Sequence, residues 1–129
     1  MKSGAVIEQF ELVESKLKVF RREMAELSRK KPNEPLNKFK LGHINNSLAA
    51  INKILGKLKP LDDFDVFDTE GSIPTNSDVA FVLAQYTEAV FRMRQENTEY
   101  DSGHYYWIVN GKISSIETED PSDMAYPEK

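Results

Sequence analysis

Residues 79–93 read VAFVLAQYTEAVFRM, and as a helix they would carry apolar side chains on nearly every face, since only Gln85, Thr87, Glu88 and Arg92 interrupt the run. A helix that is hydrophobic all round must be surrounded by protein or lipid. Four polar residues among these fifteen leave too little uninterrupted apolar length for a membrane span. The rest of the chain is therefore expected to wrap this helix. Thr75 and Asp78 carry the spacing of a capping box and start it. Glu88 and Arg92, four apart, can pair on its narrow polar stripe for about 0.2–0.5 kcal/mol. Gln85, Glu88 and Arg92, with His104 further on, are the residues that a polar pocket would use.

Upstream, Val6, Phe10, Val13, Leu17, Phe20, Met24 and Leu27 recur in alternating steps of four and three. Sustained a/d spacing predicts a long helix lying lengthwise on another. Leu12 and Val19 lie beside that seam and widen it, which implies more than one neighbour. Pro32 and Pro35 stop the helix near Lys30 or Lys31. A second seam runs from about Leu36 through Leu41, Ile44, Leu48, Ile51, Leu55 and Leu58, and Pro60 closes it. Two such helices on so short a link form a coiled-coil-like antiparallel hairpin. Gly42, Ala49 and Gly56 fall on one line away from the seam, flanked by Asn45, Asn46 and Asn52. A helical glycine costs about 1 kcal/mol relative to alanine, so this line suggests close backbone packing.

The connection over 59–77 is acidic, with Asp62, Asp63, Asp65, Asp68 and Glu70. Loops of this length often carry function, so residues 62–70 are a place to look. Phe64 and Phe67 read as pegs that pin the loop to the helices. A calcium loop needs oxygens at alternate positions and glycine at the sixth. Asp63, Asp65 and Asp68 break that rhythm and Gly71 comes too late, so no metal site is expected.

Downstream of the polar break ENTEYDSG, residues 104–117 read HYYWIV-NG-KISSIE. Asn-Gly between two apolar runs predicts a type I′ hairpin, because both central residues need positive φ. Centred on Asn110-Gly111, the turn would pair Val109 with Lys112, Ile108 with Ile113, Trp107 with Ser114, Tyr106 with Ser115 and Tyr105 with Ile116. One face then carries Tyr105, Trp107, Val109 and Ile116, the other Tyr106, Ile108 and Ile113. A two-stranded ribbon has no further strand to hide a second apolar face. Tyr105, Tyr106, Trp107, Ile108 and Ile113 are accordingly the candidate partner-binding residues, with a homodimer as the simplest assembly.

The expected fold is α+β: a three-helix bundle, made of the antiparallel helical hairpin and a central buried third helix, with a C-terminal β-hairpin. One domain is expected over 1–117, followed by an acidic flexible tail over 118–129. The chain has 129 residues and no cysteine, which excludes disulfides, thiol catalysis and cysteine-ligated zinc. The first residues lack the apolar run of a signal peptide, so the expected location is the cytoplasm. The net charge of −4 divides unevenly, with residues 1–60 basic and 61–129 acidic. His43 and His104 sit in no ligand spacing, no Gly-rich phosphate loop occurs, and no motif specifies a cofactor or a family.

The expected function is that of a non-enzymatic cytoplasmic protein that binds another protein, possibly itself. One alternative is a nucleic-acid-associated protein using the basic helical hairpin, residues 6–59. The mixed acids Glu14, Glu23 and Glu26, and the lack of exposed stacking aromatics, argue against it. Another alternative is a small enzyme with a pocket between the acidic loop and His104.

Overall fold

The computed structural model describes residues 1–120, so the expected acidic tail lies, from residue 121 onward, outside the described residues. The order of elements is α1 (Gly4–Lys30), α2 (Lys38–Leu55), a 3-10 turn (Gly56–Leu58), α3 (Asn76–Glu96), β1 (Thr98–Asp101), β2 (His104–Val109) and β3 (Lys112–Thr118). Three helices and a three-stranded antiparallel sheet at the C-terminal side place the chain in the α+β class. No helix among the described residues is long and apolar enough to cross a membrane.

Helix α1 begins where Ser3 Oγ accepts the Val6 N–H at 3.2 Å, and it ends at Lys30, just before Pro32. Its seam is buried through Phe10, Val13, Leu17 and Met24, joined by Ile7. The helix packs against both α2 and α3, whereas α2 and α3 touch each other little. Leu12 and Val19, expected to widen the seam, are each 53% exposed. The second neighbour is met on the other flank, where Glu14 faces α3.

Helix α3 starts with the capping box: Asp78 N–H donates to Thr75 Oγ1 at 3.1 Å, and Thr75 N–H donates back to Asp78 Oδ2. It is not buried on all sides, which corrects the expectation of a central helix. Val79, Leu83, Tyr86 and Val90 line one buried side, while Phe81 is 59% exposed. The position between the other two helices belongs to α1. Because α3 meets α1 along one side, Phe81 on the opposite side is left uncovered among the described residues.

Helix α2 is capped by Asn37, whose Oδ1 accepts the Lys40 N–H at 3.1 Å, and it stops at Gly56, where φ is +55°. Leu58, expected on the seam, lies in the 3-10 turn and is exposed. The glycine line does not mark close packing: a Cβ on Gly42 would meet nothing within 4 Å, and Gly56 serves the cap. The asparagines beside it do have a task. Asn45 donates from Nδ2 to Phe67 O and accepts the Phe67 N–H at Oδ1, both at 2.9 Å, pairing with the loop as a strand would. Asn52 donates to Asp65 O at 2.9 Å. Phe64 and Phe67, in edge-to-face contact at 4.9 Å, pack partly buried on the core as the expected pegs.

The sheet has order β1-β2-β3 where a two-stranded hairpin was expected. The extra strand, β1, comes from the polar break: Thr98 pairs with Trp107, and Asp101 pairs with His104 across a turn at Ser102-Gly103, both with positive φ. TEYD shows no apolar alternation, so periodicity could not reveal it. Asn110 and Gly111, with φ +52° and +80°, make the expected turn, and Val109–Lys112 and Ile108–Ile113 pair as expected. Beyond Ile108 the register shifts, so that Tyr106 faces Glu117 and Tyr105 faces Thr118 instead of Ser115 and Ile116. Ser114 explains the shift: its Oγ donates to Trp107 O at 2.6 Å and accepts the Ile116 N–H at 3.0 Å, which bulges β3. Two extra residues preserve the alternation of faces. The chain's first residue runs beside β2, with Asn110 N–H donating to Met1 O at 2.8 Å.

Candidate functional site

The sheet meets the helices around Trp107, which is 0% exposed and stands edge-on to Phe10 at 5.4 Å. Beneath it lies a polar cluster. Arg94, 2% exposed, reaches from α3 to α1 and grips Glu14 with two parallel bonds, Nε to Oε2 at 2.9 Å and NH2 to Oε1 at 2.7 Å. Its NH1 donates to Thr118 Oγ1, and its guanidinium lies 4.9 Å from the Trp107 ring centre. Glu11 Oε2 accepts the Trp107 Nε1–H at 3.1 Å and the Thr118 hydroxyl at 3.2 Å, with Arg94 NH2 at 3.5 Å. One ion pair thus ties α1, α3, β2 and β3 together. Burial works against the guanidinium's charge, and the carboxylates of Glu14 and Glu11 more than offset it, holding Arg94 above the ordinary arginine range.

The cluster forms the floor of an open cleft of about 510 Å³ whose rim adds Ser15, Glu117 and Glu119. Its chemistry is that of a saturated ion pair: the arginine faces two internal carboxylates, Glu14 and Glu11. Among the described residues, no group of three or more His, Asp or Glu is placed to hold a metal ion. One sequence signal does mark the site. Glu14 falls four residues after Phe10 and three before Leu17, and Arg94 falls four after Val90, so each helix carries a charge within its apolar line.

The candidate partner-binding residues divide between the two faces of the sheet. Trp107 points into the core, so the opposite face carries Tyr106 and Ile108, partly exposed, and Ile113, 42% exposed. Tyr105 shares the side of Trp107 and stacks edge-on against the exposed Tyr100 at 5.3 Å. Of the polar-pocket residues, Gln85, Glu88 and Arg92 line one cleft of about 340 Å³ beside Lys59, with Glu88 and Arg92 3.5 Å apart and mostly exposed. His104 is not among them. It stands on β2, its Nδ1 2.7 Å from Glu117 Oε2 and its ring 6.4 Å from Tyr106. In the acidic loop, Lys59 pairs with Asp65, and the backbone N–H groups of Glu70 and Gly71 hold the Asp68 carboxyl below the usual carboxylate range. The basic residues of the first two helices are partly neutralised within the chain, since Glu23 pairs with Lys40 at 3.0 Å and Glu26 with Arg29 and Lys30.

Compared with known proteins, the chain matches no family model, no curated protein and no solved structure.

Proposed function

We propose that this chain is a non-enzymatic cytoplasmic protein that acts by protein–protein association, with a homodimer as its simplest form. In this reading the three helices are the supporting bundle and the hairpin of β2 and β3 is the edge that meets a partner. The observation that carries it is the outward face of the sheet, where Tyr106, Ile108 and the 42%-exposed Ile113 stand opposite the buried Trp107. Tyrosine is among the side chains that most often dominate interface energetics when a partner excludes water from them. The saturated Arg94 cluster supports the same reading, because its charges are committed to joining elements of the fold.

The test combines mass with capture. Light scattering of the wild-type chain should give a mass above the 14.8 kDa of one copy. Tyr106→Ala and Ile113→Ser should keep the fluorescence of Trp107, since they lie on the opposite face, and should lose a protein that the wild type captures. A wild-type monomer at sub-millimolar concentration, together with unchanged capture by both variants, would overturn the proposal. Steeply salt-sensitive binding of generic nucleic acid would instead favour the basic helical hairpin as the working surface.

A further inference from the structure

Helix α1 carries a second stripe, distinct from its buried seam. Leu12, Lys16, Val19 and Glu23 recur in steps of four, three and four. Leu12 and Val19 are 53% exposed, although they are the kind of residue the seam would bury. Half-buried Phe20 and Leu27 flank them. The stripe borders α2 along two adjoining clefts. One, of about 440 Å³, lies between Leu12, Lys16, Phe20 and the α2 residues His43 and Ser47; the other, of about 530 Å³, lies between Val19, Glu23, Leu27 and Lys40. Two exposed apolar residues one heptad apart, Leu12 and Val19, beside an open groove give a further helix a place to pack.

The charges on the stripe specify which helix. Lys16 and Glu23 are one heptad apart and opposite in sign. In a parallel pairing of two copies, each would meet its own like charge. In an antiparallel pairing about a two-fold axis that passes between the two helices at the level of Val19 and Phe20, Lys16 of each copy faces Glu23 of the other. Glu23 already holds Lys40 at 3.0 Å, which fixes its carboxylate at the edge of the groove. We propose that a second copy of this chain docks along α1, antiparallel and two-fold symmetric, with Lys16 and Glu23 setting the direction. This inference rests on the proposal that the chain associates with itself, and it leaves the outward sheet face to a different protein.

The experiment is sedimentation of the full chain from low-micromolar to sub-millimolar concentration. The wild type should be a dimer, and Leu12→Glu and Val19→Arg should fall to the 14.8 kDa of one chain with unchanged helicity, because both positions are exposed. Should either variant misfold, the surface charge changes remain informative. Lys16→Glu alone and Glu23→Lys alone should each be monomeric, since every cross-axis pair becomes like-charged, and mixing the two should restore a dimer of one chain of each kind. A dimer that persists in all four variants would overturn the α1 interface while leaving self-association intact. Monomeric single charge variants whose mixture stays monomeric would overturn the antiparallel register. A wild-type monomer throughout would overturn this inference and the homodimer together.

Discussion

Replacing Arg94 by Met removes the centre of the cluster beneath the sheet and leaves Glu14 as a buried carboxylate without the two N–H groups it now accepts from. Breaking a buried ion pair from one side costs about 3–5 kcal/mol, because the remaining charge is uncompensated. The loss of the contact with the Trp107 ring adds to this. Against a total stability of about 5–15 kcal/mol for a domain, this is a large fraction. At about 4 °C per kcal/mol for a chain of this length, the melting temperature should fall by roughly 12–20 °C. The pair should also be replaceable as a unit. Glu14→Leu with Arg94→Met puts two apolar side chains where the ions were, and exchange of a buried pair for apolar residues is often neutral or stabilising, so the double variant should recover most of the loss. The assay is urea denaturation of the four chains of this cycle, read by the fluorescence of the single tryptophan, which lies over the guanidinium itself. An Arg94→Met midpoint equal to wild type, or a double variant that loses the sum of the two single losses, would refute the reasoning.

Leu83, fully buried on α3, should cost about 2–5 kcal/mol when replaced by Ala, and an unchanged denaturation midpoint would remove it from the core. Burial pushes the Tyr86 phenol above the ordinary tyrosine range, and its hydroxyl donates to Asn52 Oδ1 at 2.6 Å. A raised folded-state pKa means that the folded protein holds its proton longer than the unfolded chain. The neutral phenol's contribution is therefore complete below about pH 10 and is lost as pH rises through the folded value. Alkaline melting should show a steeper loss for the wild type than for Tyr86→Phe, which itself costs about 1 kcal/mol at neutral pH; parallel curves would contradict this. Asn45→Ala removes both bonds that hold the loop at Phe67, and should cost about 1–3 kcal/mol and speed hydrogen exchange at the Phe67 amide. Unchanged exchange there would mean that the phenylalanine pegs alone hold the loop.

Much of this architecture was legible because it depends on local chemistry. The alternating steps of α1 and the spacing of α2 mark helices whatever they pack on. Pro32 and Pro35 cannot continue a helix, Thr75 and Asp78 satisfy each other's backbone donors, and Asn110-Gly111 accepts the positive φ that a type I′ turn requires. These are properties of neighbours in the chain, so the letters alone determine them. The faces were another matter. Periodicity shows that Leu12, Val19 and Phe81 are apolar, but whether each is covered depends on which helix lies in the middle, and three helices of similar hydrophobicity can be ordered in more than one way. Only tertiary packing put α1 there and left those three exposed. The same holds for the sheet. Ser114 shifts the register through a bond to Trp107 O across the strand, and Thr98–Asp101 becomes a strand because β2 offers it an edge, not because its own residues alternate. The Arg94 cluster depends on distance in space. Glu14 and Arg94 are eighty residues apart, and each by itself is only a charge in an apolar line; their meeting, with Trp107 above and Thr118 beside them, exists only when the helices cross and the sheet folds back over them.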